Sequence, residues 1–282
     1  MKKIFKVIAA VAVSGACIAG AAALSGCYKT SGYNGEYSYY VSKWYTTYGT
    51  KVRVEVQSDG KGDRIRNVEI IDSVYTEATN SNPAYGWDNG VGCEELLVSY
   101  RGRYIADVLS TPVTLTKEQT EAGCPVGVGD DGLIVSGATQ CSGRLLLAVQ
   151  DALLDAADAL GYNVVEGEYS YPNPWTPTVS YGIRVRVIVK DGVIKGVVNI
   201  PSSYIECTEN WKNNKIWYAG LNDLLASYKT RTVDEVLGKT VSTDGNGQPN
   251  GTMDAEYMIT GATQGSGRLL LAVQDAVKKL KK

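Results

Sequence analysis

Val52, Val54 and Val56 alternate with Arg53 and Glu55, a period of two that predicts a strand with one buried face. The phrase returns as YGIRVRVIV over 181–189, and KDGVIKGVVNI follows at 190–200. Its Lys-Asp-Gly turn before a β-branched run predicts a hairpin, and SDGKGDRIRNVEII takes that place earlier in the chain. Around 94–109 and 221–237, Leu pairs separated by acids and basic residues predict short helices. The period then changes. Leu145, Val149, Ala152, Leu153, Ala156 and Leu160 recur at helical spacing while Asp151, Asp155 and Asp158 fall on another face, predicting a long amphipathic helix.

These elements occur twice. Gly35-Glu36-Tyr37-Ser38-Tyr39 matches 167–171, YGTKVRVEV (48–56) matches 181–189, and ELLVSYRGRYIADVL (95–109) matches DLLASYKTRTVDEVL (223–237). The strongest match is SGATQCSGRLLLAVQDAL (136–153) with TGATQGSGRLLLAVQDAV (260–277), which keeps 15 of 18 positions. Four landmarks in one order imply two homologous domains rather than a solenoid. The expected fold is α+β: two tandem small domains, at 33–165 and 166–282, each with an antiparallel sheet or hairpin core, packed helices and a closing amphipathic helix. Lys278, Lys279, Lys281 and Lys282 suit the negative end of the last helix.

Ahead of the repeats, Lys2, Lys3 and Lys6 precede an apolar stretch, Ile8 to Leu24, and Leu24-Ser25-Gly26-Cys27 follows. Residues 1–27 have the layout of an export signal, and the last four resemble the lipobox of bacterial lipoproteins. That resemblance implies acylation of Cys27 and an extracytoplasmic chain anchored to the bilayer, with 28–32 as a polar tether. An uncleaved membrane-spanning helix is the other reading of the apolar stretch. Both place the repeats outside the cytoplasm.

Composition narrows the chemistry. The 282 residues carry a net charge of −2 and no histidine, so no broad basic field exists for nucleic acid. His-based acid–base catalysis, Ser-His-Asp systems and most zinc sites are excluded. No catalytic residue and no metal site are expected. Cys93, Cys124, Cys141 and Cys207 remain once the signal is removed and Cys27 acylated; they show no C-x-x-C spacing, an extracytoplasmic place allows one disulfide among them, with Cys93–Cys124 the favoured pair, and the sequence does not fix the pairing.

The near-identical stretch then asks for a role. Small residues directly before a helix allow close backbone approach, Ser142 and Ser266 are natural N-caps, and first-turn amides attract anions. SGATQCS and TGATQGS resemble the [ST]-G-A-T-x-[ST]-[ST] element of the FMN-binding domain family, as in the C subunit of the Na⁺-translocating NADH:quinone reductase and the G subunit of Rnf. The resemblance implies that a flavin transferase esterifies FMN from FAD onto Thr139 and Thr263, up to two groups. Ser136, Gly137, Ala138 and Ser142 would complete one binding element, and Thr260, Gly261, Ala262 and Ser266 the other. Six residues before each threonine, where the family often has Asp, stand Leu133 and Tyr257; Asp130, Asp131, Asp254 and Glu256 lie nearby.

The implied function is electron relay, from a membrane reductase to an external acceptor, through a chain that converts no substrate itself. Tyr39, Tyr40, Trp44, Tyr45 and Tyr48, with Tyr171, Trp175 and Tyr181, are candidates to face the flavin ring. The aligned pairs Arg53/Arg186 and Arg103/Arg231 are expected as solvated surface arginines. Nineteen Tyr and five Trp against one Phe favour polar-edged aromatics, so a surface module binding carbohydrate is a competing reading. A structural lipoprotein with degenerate flavin motifs is a third.

Overall fold

A computed structural model of the chain describes residues 29–58, 62–71, 92–116, 122–135, 138–173, 176, 178–200, 202–204, 212–250 and 254–281. The signal, Cys27, Ser136, Gly137, Trp175 and Cys207 lie outside them. The first repeat opens with β1 (Lys29–Val41), β2 (Thr46–Ser58) and β3 (Asp63–Ile70), an antiparallel meander. Two short helices follow, α1 (Cys93–Ser99) and α2 (Ile105–Leu109), then the small β4 (Val113–Leu115) and β5 (Pro125–Val128) pair. A 3₁₀ turn, Asp131–Leu133, leads into α3 (Thr139–Ala159).

The second repeat runs the same course. β6 (Asn163–Pro172), β7 (Ser180–Lys190) and β8 (Val193–Asn199) form its sheet, followed by α4 (Lys212–Ser227), α5 (Val233–Leu237), a 3₁₀ turn at Ala255–Tyr257 and α6 (Thr263–Lys278). The architecture is α+β. Two boundaries differ from expectation. Lys29 to Gly32 pair with β2 from Ser58 to Glu55, so residues 29–32 of the expected tether are strand, and β6 starts at Asn163, ahead of the expected boundary. Alternation of buried and open positions holds in β2, and Asp191 and Gly192 take the positive φ of 53° and 72° that a tight β7–β8 turn requires.

Each closing helix lies on its sheet and supplies the core. Leu145, Val149, Ala152, Leu153 and Ala156 are buried with Val52, Val54 and Ile65, and Leu269, Val273, Ala276 and Val277 with Val185, Val187 and Ile194. The helix axis crosses the first strand at a glycine. A Cβ on Gly35 would sit 2.3 Å from the Ala148 carbonyl oxygen, and one on Gly167 2.2 Å from that of Ala272, so backbone touches backbone there.

The repeats are joined by more than the chain. Ile188 of β7 belongs to the first core, and Lys190 bonds Asp63 at 2.6 Å. Asp63 also accepts from Ser58 at 2.5 Å and Tyr162 at 2.8 Å. Cys93 and Cys124, the pair the sequence favoured, are not joined by a disulfide; both are thiols, as is Cys141. Cys93 begins α1, whereas Cys124 is packed with Cys141, Tyr39 and Tyr48.

Candidate functional site

Both copies of the retained stretch start a helix on their threonine. Ala138 and Ala262 occupy the N-cap with φ of −120° and −130°, and neither supplies a capping side chain. Gly261 precedes with φ +85°, a conformation that excludes a Cβ at little cost only for glycine. Thr139 and Thr263 are half-buried first helical residues. No acid falls in either first turn, so each uncapped N-terminus keeps its positive end for an anion. Ser136 and Gly137 lie outside the described residues; Thr260 and Gly261 are exposed on the approach to α6.

The serines are not N-caps. Ser142 sits a full turn inside α3, fully buried; its Oγ accepts the Val135 amide at 3.0 Å and donates to the Ala138 carbonyl at 2.9 Å. Ser266 repeats this with Ile259 at 2.9 Å and Ala262 at 3.0 Å. The hydroxyl ties the incoming loop to the helix. It is therefore withdrawn from any ligand that reaches the threonine, which removes Ser142 and Ser266 from the candidate binding set.

The departure at Leu133 and Tyr257 has a structural counterpart. Both are fully buried core residues. Asp130, Asp254 and Glu256 are paired from the side: Arg103 pairs with Asp130, while Arg231 pairs with Glu256 at 2.9 Å and Glu235 at 2.6 Å. Lys239 holds Asp254 at 2.6 Å. Arg103 and Arg231 are thus fixed ion-pair partners rather than solvated surface groups, each also donating Nε to the carbonyl of Ser99 or Ser227. Arg53 remains on the surface beside Glu69 at 3.8 Å, whereas Arg186 is drawn to Glu166 at 3.0 Å.

Other residues of the stretch hold the fold. Gln150 Nε2 donates to Val108 and Thr111 carbonyls at 2.8 Å each, and Gln274 Nε2 to Val236 at 2.9 Å and Lys239 at 2.8 Å. Asp151 accepts the Glu36 amide at 3.0 Å, as Asp275 accepts that of Glu168 at 3.1 Å. Burial pushes the Asp151 carboxyl above the usual carboxylate range, although the Glu36 amide opposes it.

The aromatic candidates gather beside the α3 N-terminus. Tyr39 pairs directly with Tyr48 across β1 and β2, rings stacked at 5.9 Å, and Trp44 meets Tyr48 edge-on at 6.3 Å. The Tyr39 hydroxyl reaches Gln140 Oε1 at 3.4 Å. Tyr40, Trp44 and Tyr45 project outward at the β1–β2 turn, Tyr45 85% exposed in a left-handed conformation with φ 51°. Tyr171 and Tyr181 repeat the cross-strand pair at 5.8 Å.

Sequence reasoning missed the charge beneath these rings. Arg144 and Arg268, a turn and a half into each helix, are buried, with Arg144 5.7 Å from the Tyr48 ring and Arg268 6.0 Å from both Tyr171 and Tyr181. The available signal was a cation kept twice beside an otherwise apolar LLLAV run. Where Cys141 packs in the first repeat, Gly265 leaves room for Trp217, whose ring atoms stand 2.6 Å from where a Cβ would be.

Away from the motif, a cavity of about 230 Å³ lies between the repeats, bordered by Gln150, Glu166, Arg184, Arg186 and Asn199. Among the described residues no cluster of His, Cys, Asp and Glu could hold a metal, and no helix is long and apolar enough to cross a membrane. No protein-family model, curated protein or solved structure matches this chain.

Proposed function

We propose that each repeat is a carrier of FMN, phosphoester-linked to Thr139 and Thr263, and that the chain is anchored through acylated Cys27 on the outer side of a bacterial membrane. There it relays electrons from a membrane reductase to an external acceptor. One observation carries this reading. Within the retained stretch, Ser142 and Ser266, Gln150 and Gln274, and Asp151 and Asp275 are taken up by hydrogen bonds that hold the fold, while Thr139 and Thr263 stand half-buried as the first residues of helices with no side-chain cap, the Thr263 hydroxyl reaching only Met258 Sδ at 3.7 Å.

The residues present fit the group. Threonine Oγ1 would supply the ester oxygen as FMN leaves FAD and AMP departs, and first-turn amides would face the phosphate oxygens. Arg268 adds positive charge behind the α6 turn, and Trp44, 41% exposed and edge-on to Tyr48, offers a ring face at the first site. The flavin would supply the electron-accepting chemistry. Ser142 and Ser266 take no part beyond holding the loop.

Co-expression with a flavin transferase tests it: the wild-type band fluoresces in a denaturing gel and the Thr139→Val, Thr263→Val double variant does not. A dark wild-type band overturns covalent attachment. Exposed Tyr40, Trp44 and strained Tyr45 favour a second reading, in which the β1–β2 turn stacks on carbohydrate. Glycan binding by flavin-free protein, lost in Trp44→Ala, would support that reading.

A further inference from the structure

Arg144 is 1% exposed, and its Nε and Nη1 have no hydrogen-bond partner; Nη2 donates to Cys141 Sγ at 3.1 Å. None of the described ion pairs includes it. A guanidinium does not lose its proton in a protein, and a buried charge without a counter-ion is strongly destabilising. Among the described residues, Tyr48 and Cys141 lie against it, and Tyr39 and Cys124 belong to the same buried cluster as those two; these are the groups there that can become anionic. Tyr39 is not the counter-ion, because burial, then its bond with Cys124, pushes its hydroxyl far above the usual phenol range.

Cys141 is the better placed sulfur. It lies in the uncapped first turn of α3, where the helix dipole favours a thiolate, and it touches the guanidinium. Burial alone opposes ionisation, but ionising Cys141 removes the larger penalty of an uncompensated arginine. Cys124 belongs to the same buried cluster and is bonded to Tyr39. The second repeat has Gly265 and Gln248 at these two places, so the arrangement is confined to the first.

The geometry points to Cys141 and Cys124 as an oxidisable pair: Cys141 is the peroxide-reactive thiolate, poised by Arg144, and Cys124 is the resolving thiol. The Cys141 thiolate attacks one oxygen of a peroxide, ROOH; the O–O bond breaks, Cys141 becomes a sulfenic acid and RO⁻ leaves. The Cys124 thiol then displaces the sulfenic hydroxyl, forming the S–S bond and releasing water, and its proton completes that water. RO⁻ is protonated by solvent. Two thiol sulfurs are oxidised and the peroxide is reduced to ROH and water. Hydrogen peroxide, close to water in size, suits a buried thiolate.

The full chain, made without flavin transferase so that the flavin reading plays no part, is treated with hydrogen peroxide and cut at aspartate. Asp130 and Asp131 separate the two cysteines. Fragments carrying Cys124 and Cys141 are expected to stay joined until reductant is added. In Cys124→Ser the reaction should stop at a Cys141 sulfenic acid, which dimedone captures when the peroxide-treated chain is unfolded in its presence. Arg144→Gln should slow oxidation at least about tenfold, the effect of one unit of thiol pKa, and Arg144→Lys should restore part of the rate. Fragments that separate without reductant, a Cys141 that dimedone never labels, or Cys124 joined to Cys93 or Cys207 instead would overturn the pair. An Arg144→Gln chain that folds and oxidises at the wild-type rate would overturn the role of the arginine. If that variant does not fold, the Cys124→Ser result still decides whether Cys141 is the reactive sulfur.

Discussion

Ser142 Oγ accepts the amide of Val135 at 3.0 Å while donating to the carbonyl of Ala138, so one buried hydroxyl fastens the approach loop to the first turn of α3. Ser142→Ala leaves a buried amide without its acceptor. The expected loss is about 1–3 kcal/mol of stability, read by urea unfolding, with a similar loss for Ser266→Ala. Flavin loading per folded molecule should not change. A stable Ser142→Ala chain that no longer takes flavin would return the serine to the binding site.

Gln150→Met and Gln274→Met each remove two bonds to carbonyls at the ends of the short helices α2 and α5. Each should lower stability by about 1–3 kcal/mol. Because the bonds match in both repeats, the two variants should behave alike in denaturant titration. A neutral effect of either would show that its carbonyls are satisfied without the glutamine.

Gly35→Ala puts a methyl 2.3 Å from the Ala148 carbonyl oxygen, a backbone atom that cannot rotate away. Separating β1 from α3 to make room should cost about 3 kcal/mol and lower the melting temperature, and Gly167→Ala should do the same to the second repeat. Equal melting temperatures would mean that the strand and helix slide apart freely.

Asp63 links the repeats and responds to acid. Burial would raise its pKa, but the bonds from Lys190, Ser58 and Tyr162 together carry it below the ordinary carboxylate value. A depressed folded-state pKa contributes stability above the unfolded value of about 3.9 and loses it as pH falls through the folded one. Asp63→Asn should therefore flatten the acid limb of a stability–pH curve below about pH 4. Lys190→Met, which leaves the 6% exposed carboxylate without its cation, should destabilise by about 3 kcal/mol at neutral pH. An unchanged acid limb in Asp63→Asn would assign that limb to other carboxylates.

Much of this was legible in the sequence because it is local and periodic. The alternation Val52-Arg53-Val54 announces a half-buried strand, Lys190-Asp191-Gly192 a tight turn, and the spacing of Leu145, Val149 and Ala152 a helix face. The serines misled because a Ser-Gly pair before a Leu run reads as a cap, whereas Gln140 and Cys141 already accept helical geometry and the helix starts on the threonine. Lys29 to Gly32 read as a tether because their side chains are small or polar; a backbone ladder with β2 makes them strand. The pairing of Arg103 with Asp130 and of Arg231 with Glu256 joins distant residues, which no local pattern reveals. Arg144 was hidden for the opposite reason: its sequence neighbours are so apolar that nothing beside it marks a buried charge.

Flavin attachment at Thr139 and Thr263 is read from the intact mass of the chain. Purified after co-expression with a flavin transferase, the chain should gain two FMN groups less two waters, Thr139→Val and Thr263→Val should each carry one, and the double variant none. A wild-type chain at its unmodified mass would contradict the account, as would single variants that still carry two groups.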